Sequence, residues 1–325
     1  MAYTSVSGRP SKLNFAAHGW PVRRGTDEEF RPRPSHPAVV MHANDLNLAV
    51  PAVVPRPSFR VRILRLFETC IRPLYWWYER RLLNAVSQER MPRHLGLILD
   101  GNRRFARRIG LDARRGHEYG VEKVQDMLKW CLELGIPHVT IFVFSTENFD
   151  RTPEEIEFLF DLFVRESPRL IAHPNIQTHK VRIKVIGRRS LLPAEVAAAA
   201  EALERATAEH DGMLLNIALA YGGRQEIVDA IRQLLREAEA EHRSLAAVAE
   251  HLSVSQISNY LYTTGLPDPD FIIRTSGEVR LSGFLLWQAA YSEYYFCDAL
   301  WPAFRRIDFL RAIRSYQGRE QRFGV

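Results

Sequence analysis

Beyond residue 93 the chain alternates between two kinds of hydrophobic pattern. Short runs at 94–99, 138–144, 181–187, 213–219 and 270–274, with shorter apolar runs at 284–288 and 294–297, read as buried strands. Between them, at 115–134, 153–172, 193–209, 222–240 and 307–321, apolar residues recur at helical spacing. The alternation predicts an α/β protein with a mainly parallel sheet covered by helices. In that architecture ligands bind at the carboxyl ends of the strands.

Upstream the pattern changes. Residues 1–57 are rich in Pro, Ser, Arg and His without either periodicity, which predicts a disordered or loosely attached extension. Residues 58–90 contain FRVRILRLFETCIRPLYWWYERRLLNAV, an amphipathic, basic and aromatic-rich helical stretch interrupted at Pro73. One reading packs this stretch on the body of the protein. The other sets Tyr75, Trp76, Trp77 and Tyr78, beside their arginines, against the headgroup region of a membrane. Residues 91–325 then form the principal domain.

Composition narrows the partners. A chain of 325 residues, 46% hydrophobic, can bury a substantial core. Cys70, Cys131 and Cys297 are odd in number and widely spaced, which fits neither a disulfide framework nor a metal cage. No apolar run approaches the ~20 residues of a membrane span, and the first residues lack a signal peptide's apolar core, so the expected location is cytoplasmic, with membrane contact at most peripheral. The formal charge is +6, but residues 1–90 hold 14 Lys and Arg against 7 Asp and Glu, leaving the remainder nearly neutral. That distribution argues against a nucleic-acid partner.

Polar residues gather at the predicted strand ends. Asp100 follows the first strand, Ser145-Thr146-Glu147-Asn148 the second, Tyr221-Gly222-Gly223-Arg224 the fourth and Arg274-Thr275-Ser276-Gly277-Glu278 the fifth, so four loops are expected to converge. In LDGNRRFARR the Gly101-Asn102 corner opens a helix whose N–H groups, with Arg104 close by, make an anion pocket of phosphate size. Asp100 beside a bound phosphate would hold Mg²⁺; its other reading is a turn residue capping the helix. Arg151, Arg274 and Arg280, with Ser282 as a neutral donor, suit diphosphate better than a single carboxylate. Glu293 reads either as a second metal ligand or as an edge residue.

These residues carry a resemblance. HLGLILDGNRRFA, FVFSTENFDR, LNIALAYGGRQEIVDAI, PDPDFIIRTSGEVRLSGFLLWQAAYSEYYF and the terminal RFG match, in order, the cis-prenyltransferase family that includes undecaprenyl diphosphate synthases, over about residues 91–325. The resemblance implies a central, mainly parallel six-stranded sheet surrounded by helices, not the all-helical trans-prenyltransferase fold. It also implies a homodimer that condenses isopentenyl diphosphate with an allylic diphosphate, using Mg²⁺. By resemblance Asp100 is the metal-linked catalytic aspartate, with Asn148 and Ser145 positioning the reacting ends. Gly101, Asn102, Arg103, Arg104, Phe105, His117, Ser145, Thr146, Glu147, Phe149 and Arg151 form or surround the allylic diphosphate cradle. Arg274, Arg280, Leu281 and Ser282 resemble the isopentenyl diphosphate clamp, and Glu293 the metal-associated glutamate that approaches across the dimer.

The chain departs from the family pattern in places that bear on product length. Ala113 stands where many long-chain members have arginine, with Arg114 and Arg115 beside it; Arg103 replaces a usual glycine and Val279 a frequent histidine. Phe158, on the helix that follows the STEN loop, stands where long-chain members have a small residue and is expected to plug the product tunnel. A short product is therefore expected, with long-chain polyprenyl synthesis as the alternative. Other classes fare worse: there is no Asp-Asp pair for a trans-prenyltransferase, no GxGxxG after the first strand and no GxxxxGK[ST]. A non-catalytic accessory subunit would be expected to lose Asp100 or the Arg274 and Arg280 pair, and this chain has all three.

Overall fold

The computed structural model describes residues 73–86 and 90–318. The extension 1–57, the start of the aromatic stretch and the terminal RFG lie outside the described residues. Pro73 opens helix α1 (73–85), as suits a residue whose missing N–H costs nothing in a first turn. Its buried side, at Leu82 and the following Val86, joins the main core.

The chain then runs through β1 (His94–Ile98), α2 (Asn102–Arg108), α3 (Ala113–Glu133), β2 (His138–Ser145), α4 (Pro153–Ile171), α5 (Pro174–Thr178), β3 (Arg182–Ile186) and α6 (Ala194–Ala206). It continues with β4 (Leu214–Tyr221), α7 (Gly223–Ala240), α8 (Leu245–His251), α9 (Val254–Ser258), β5 (Phe271–Arg274), β6 (Glu293–Phe296) and α10 (Arg306–Gln317). The six strands form one sheet in the order β3-β4-β2-β1-β5-β6. Every pairing is parallel. Both faces are covered: Leu95 and Leu97 of β1 enter the larger core, while Ile98 joins a second cluster with Ile272 and Phe284 on the other face. All eight residues of β4 are buried, as an interior parallel strand requires.

One expectation needs correction, and three short helices go beyond the pattern. The run 284–288 is not a strand but a set of tight turns; Phe284 and Leu285 are apolar because they are buried under the sheet, and Leu285 has a positive φ of 46° that no strand would take. The short helices α5, α8 and α9 carry too few turns to show a hydrophobic period. The order also fixes where a ligand can sit: from the carboxyl ends of the neighbours β1 and β5 the chain departs in opposite directions across the sheet. The crevice between them is the switch point of the fold.

Candidate active site

Asp100 and Arg274 meet at that crevice. Arg274, the last residue of β5, is 4% exposed and donates from Nη2 to Asp100 Oδ2 at 2.9 Å. Its Nη1 donates to Ser282 Oγ at 2.9 Å and to the Arg280 carbonyl. The Thr275 hydroxyl accepts from Asp100 N at 3.0 Å and donates to Asp100 O at 2.7 Å, clamping the β1 loop to the β5 loop. Arg104 bridges the remainder, reaching Ser276 Oγ at 2.6 Å, Glu278 Oε1 at 3.2 Å and Asp100 Oδ2 at 3.6 Å. Arg280 pairs with Glu278. Desolvation raises the Asp100 pKa, but hydrogen bonds to Arg274 and Ser276 and the charges of Arg274 and Arg104 outweigh it and hold the carboxyl below its ordinary range. Asp100 is therefore ionised at neutral pH, and it does not cap α2, whose N-cap residue is Gly101, with no side-chain cap.

Gly101 has φ 114° and sits so close to Leu300 that a Cβ would lie 3.0 Å from its Cα. Glycine alone suits that backbone, and the turn sets Asn102, Arg103 and Arg104, the start of α2, on the wall of the crevice.

A second cationic cluster stands on the β2 side. Glu155, in the first turn of α4, accepts from Arg151 Nη1 at 2.8 Å and Arg103 Nη1 at 3.4 Å, with His117 Nε2 3.5 Å away. His117 is buried on α3, and burial together with the Arg151 charge lowers its pKa to about 4 against the opposing pull of Glu155. It is neutral at physiological pH. Asn148 accepts the Ser145 N–H through Oδ1 at 3.1 Å, which leaves its amide N–H groups as donors for the site.

The two clusters share a polar basin of about 530 Å³. Beneath the Glu155 side it opens into a narrow apolar cavity of about 140 Å³ between the sheet, α3 and α4. Leu99, Asn102, His117, Phe142, Val143, Phe144 and Leu159 line both spaces and form the neck. A register shift in β2 between Phe142 and Phe144 breaks the alternation there, so Val143 faces the neck along with its neighbours and is 43% exposed. Among the described residues, two buried polar atoms at this neck, Asn102 Oδ1 and His117 Nε2, have no hydrogen-bond partner. Of the Glu155 cluster His117 lines both spaces, while Arg103 and Arg151 line the basin only, as do Arg274, Arg280 and Ser282 on the other side.

Several predicted site residues fall elsewhere. Phe105 packs edge-on against Tyr119, Phe149 packs on Phe144 and Phe160, and Leu281 packs on the second core cluster; none of them lines the basin. Thr146 and exposed Glu147 are also outside the lining, Thr146 lying against Gly222 instead. The fourth loop supports the site without lining it: Tyr221 donates to buried Glu226, which accepts from Gln288 Nε2 at 3.1 Å, and Gly223 N donates to Gly283 O at 2.9 Å, so the loop holds the turns after Ser282 in place. Phe158 does not plug the cavity. It precedes Leu159 by one residue, ~100° around the helix, and its ring lies under the Arg114 guanidinium at 5.5 Å. The cavity face of α4 carries Leu159, Phe160, Leu162, Phe163, Glu166, Ser167 and Leu170, and Phe158 is not among them. Glu293 opens the edge strand β6, paired with Phe271 at the amino end of β5, so within one chain it stands a strand's length from Arg274. Glu155 and Val143 are site residues that the sequence reading missed; only the four-residue spacing of Arg151 and Glu155 hinted at the first, and nothing local marks a bulge.

The family described as "Putative undecaprenyl diphosphate synthase" matches residues 98–324. The isoprenyl transferase of Thermus thermophilus is 63% identical over 253 residues, 78% of this chain and 96% of that protein. The (2Z,6E)-farnesyl diphosphate synthase of Thermobifida fusca is 50% identical over 253 residues, 78% of this chain and 97% of its own length. Among solved structures, lavandulyl diphosphate synthase from Lavandula x intermedia in complex with dimethylallyl diphosphate superposes with a TM-score of 0.68 at 32% identity, covering 72% of this chain and 99% of that one.

Proposed function

This chain belongs to the undecaprenyl diphosphate synthase family of cis-prenyltransferases and is an enzyme of prenyl chain condensation, and from that premise we propose how its two clusters divide the work. An allylic diphosphate binds at Arg103, Arg151, His117 and the α2 turn, and isopentenyl diphosphate binds at Arg274, Arg280 and Ser282. The observation that carries the reading is the neck: His117, Asn102 and Leu159, beside Arg103 and Arg151, line both the basin and the apolar cavity, whereas no residue of the Arg274 cluster reaches the cavity. Only the substrate with a growing hydrocarbon tail needs such a cavity, so its head belongs beside it.

Breaking the allylic C–O bond leaves negative charge on the departing diphosphate, and fixed guanidinium groups and helix N–H donors stabilise that charge without reorganising. Ser145, at the end of β2, and Asn148, in the turn that follows, hold the allylic carbon toward the isopentenyl double bond. Neutral His117 donates a hydrogen bond to a diphosphate oxygen, since it carries no charge to give. Asp100 fits a part in holding Mg²⁺: the two guanidinium groups approach one of its oxygens, and a carboxylate has further lone pairs. Among the described residues no three His, Cys, Asp or Glu side chains cluster as a metal site. That donor set suits Mg²⁺ arriving with a diphosphate, which takes one or two carboxylates and completes its shell with phosphate oxygens and water. When bound, the ion would add charge neutralisation at the leaving group. Glu293 would reach this site from a second copy of the chain, which makes the working unit a homodimer.

The proposed product is short, of the farnesyl class, because Phe142, Val143 and Phe144 narrow the neck and Phe160 and Phe163 fill the cavity wall. A longer polyprenyl product is favoured by the position of Phe158 outside the lining. Incubation with labelled isopentenyl diphosphate and dimethylallyl, geranyl or farnesyl diphosphate tests both points. Turnover that stops with EDTA and returns with Mg²⁺, giving a dominant product of three isoprene units, is the expected result. Products of ten units or more would establish the longer reading, and no turnover with any primer would indicate an accessory subunit.

A further inference from the structure

Helix α1 presents two faces. Leu82 is 2% exposed and Tyr75, Tyr78 and Leu83 pack toward the core, with Arg305 over the Tyr75 ring at 5.7 Å and Arg311 over Tyr78 at 5.2 Å. The opposite face shows Leu74, Trp76 and Trp77, which are 63%, 60% and 52% exposed. Two adjacent exposed indoles are costly in water and need a reason. Each lies under a guanidinium, Arg80 over Trp76 at 5.2 Å and Arg81 over Trp77 at 5.6 Å. Among the described residues neither arginine is in an ion pair, whereas Glu79 is taken up by Arg306 at 3.0 Å. Beside Trp76 runs a groove of about 260 Å³ lined by Trp76, Glu79, Arg80, Leu83, Asn84 and Arg306, in which Arg306 is held by Glu79 at 3.0 Å and Glu133 at 2.7 Å while Arg80 is in no ion pair among the described residues. The sequence from Ser58 to Val86 carries six arginines against two glutamates.

We propose that this face of α1 is a docking surface for an anionic lipid bilayer. Amphipathic indoles favour the boundary between headgroups and acyl chains, and arginines stacked on them meet the phosphates at that depth. Arg80, on the groove wall, meets one phosphate headgroup beside the two indoles, with Arg81 meeting another, and Leu74 enters the acyl region. Charge selects the occupant: a neutral apolar partner would leave two guanidinium groups desolvated without a counter-charge, and a second copy of the same basic face would repel the first. The inference rests on the condensation reading only for its use, since a product with an apolar tail leaves most readily into lipid.

The test is cosedimentation of the full-length protein with vesicles of phosphatidylcholine alone or mixed with phosphatidylglycerol. The expected result is binding to the mixed vesicles, at least tenfold weaker to the neutral ones and weakened by 0.5 M salt. Trp76→Ala/Trp77→Ala and Arg80→Gln/Arg81→Gln should each cut binding at least tenfold while condensation in vesicle-free buffer stays at the parent rate. Equal binding to both vesicle types, no binding to either, or binding indifferent to both double variants would overturn the proposal. So would a change in sedimentation-velocity mass on removing the indoles, which would make the face a contact between copies. A protein that docks but does not condense would refute the catalytic reading alone.

Discussion

Asp100 and Arg274 illustrate how one contact can serve two ends. In the absence of substrate the carboxylate neutralises a guanidinium that is 5% exposed, and the same oxygens stand where a diphosphate and its cation would arrive. Glu155 does the same for Arg103 and Arg151. Asp100→Asn keeps an acceptor for Arg274 but removes the charge that neutralises a buried guanidinium, so stability should fall by about 2–3 kcal/mol. Turnover should fall at least a hundredfold, ~2.7 kcal/mol of barrier; steady-state rates beside a thermal melt separate the two. Arg274→Gln should raise KM for isopentenyl diphosphate at least tenfold more than KM for the allylic substrate, and Arg151→Gln should do the reverse, as initial rates with each substrate varied in turn would show. Asp100, Arg151 and Arg274 could all be found in the sequence because Arg274 ends a strand, Asp100 follows one, and Arg151 closes the short turn after another. Glu155 could not, because its role depends on Arg103, Arg151 and His117 arriving from other elements.

At the scale of elements, β2 is decisive. A regular strand would turn Val143 away from Phe142 and Phe144, but the register shift against β4 sets all three at the neck. Val143→Ala widens the passage by two methyl groups and should lengthen the dominant product by at least one isoprene unit. Val143→Phe should shorten it or stop elongation after one addition, with first condensation retained. Phe158→Ala, on the Arg114 side of α4, should leave the product distribution as it is. Thin-layer or reversed-phase chromatography of dephosphorylated products reads all three. The periodicity of α4 predicted the helix but not its phase, because an amphipathic face tells which residues are buried and not which cavity they bound.

For the whole molecule, the foot of the sheet sets the acid limit. His94 is fully buried, with Nδ1 2.7 Å from the Pro267 carbonyl and Nε2 2.7 Å from Thr140 Oγ1, which itself accepts from Asn216 Nδ2 at 3.1 Å. A carbonyl only accepts, so Nδ1 carries the proton and Nε2 accepts from Thr140. Burial, despite the Pro267 bond, lowers the His94 pKa to about 4. Because the folded value lies below the unfolded ~6.5, the neutral ring stabilises the fold fully above pH 6.5 and progressively less as pH falls toward 4. His117, also lowered to about 4, acts in the same direction. Each should contribute about 2 kcal/mol to the loss between pH 7.5 and pH 5. Urea titrations at those two pH values should show His94→Gln less stable than the parent at pH 7.5 but losing about 2 kcal/mol less on acidification.

The sequence by itself determined the alternation of strands and helices, the all-covered sheet and the loops that carry the charges, because strand and helix periods and strand-end positions are local properties. All six strands lie where apolar runs stand, and so do five of the long helices. Only the tertiary structure decided the rest. Sheet order placed Asp100 and Arg274, 174 residues apart, within 2.9 Å, and separated Glu293 from both. It turned the apolar run 284–288 into buried turns and made the Tyr221-Gly222-Gly223-Arg224 loop a support. It also set the rotation of α4 that takes Phe158 out of the cavity and the bulge that brings Val143 into it. These outcomes depend on which surfaces meet across long sequence separations, and no local pattern encodes them.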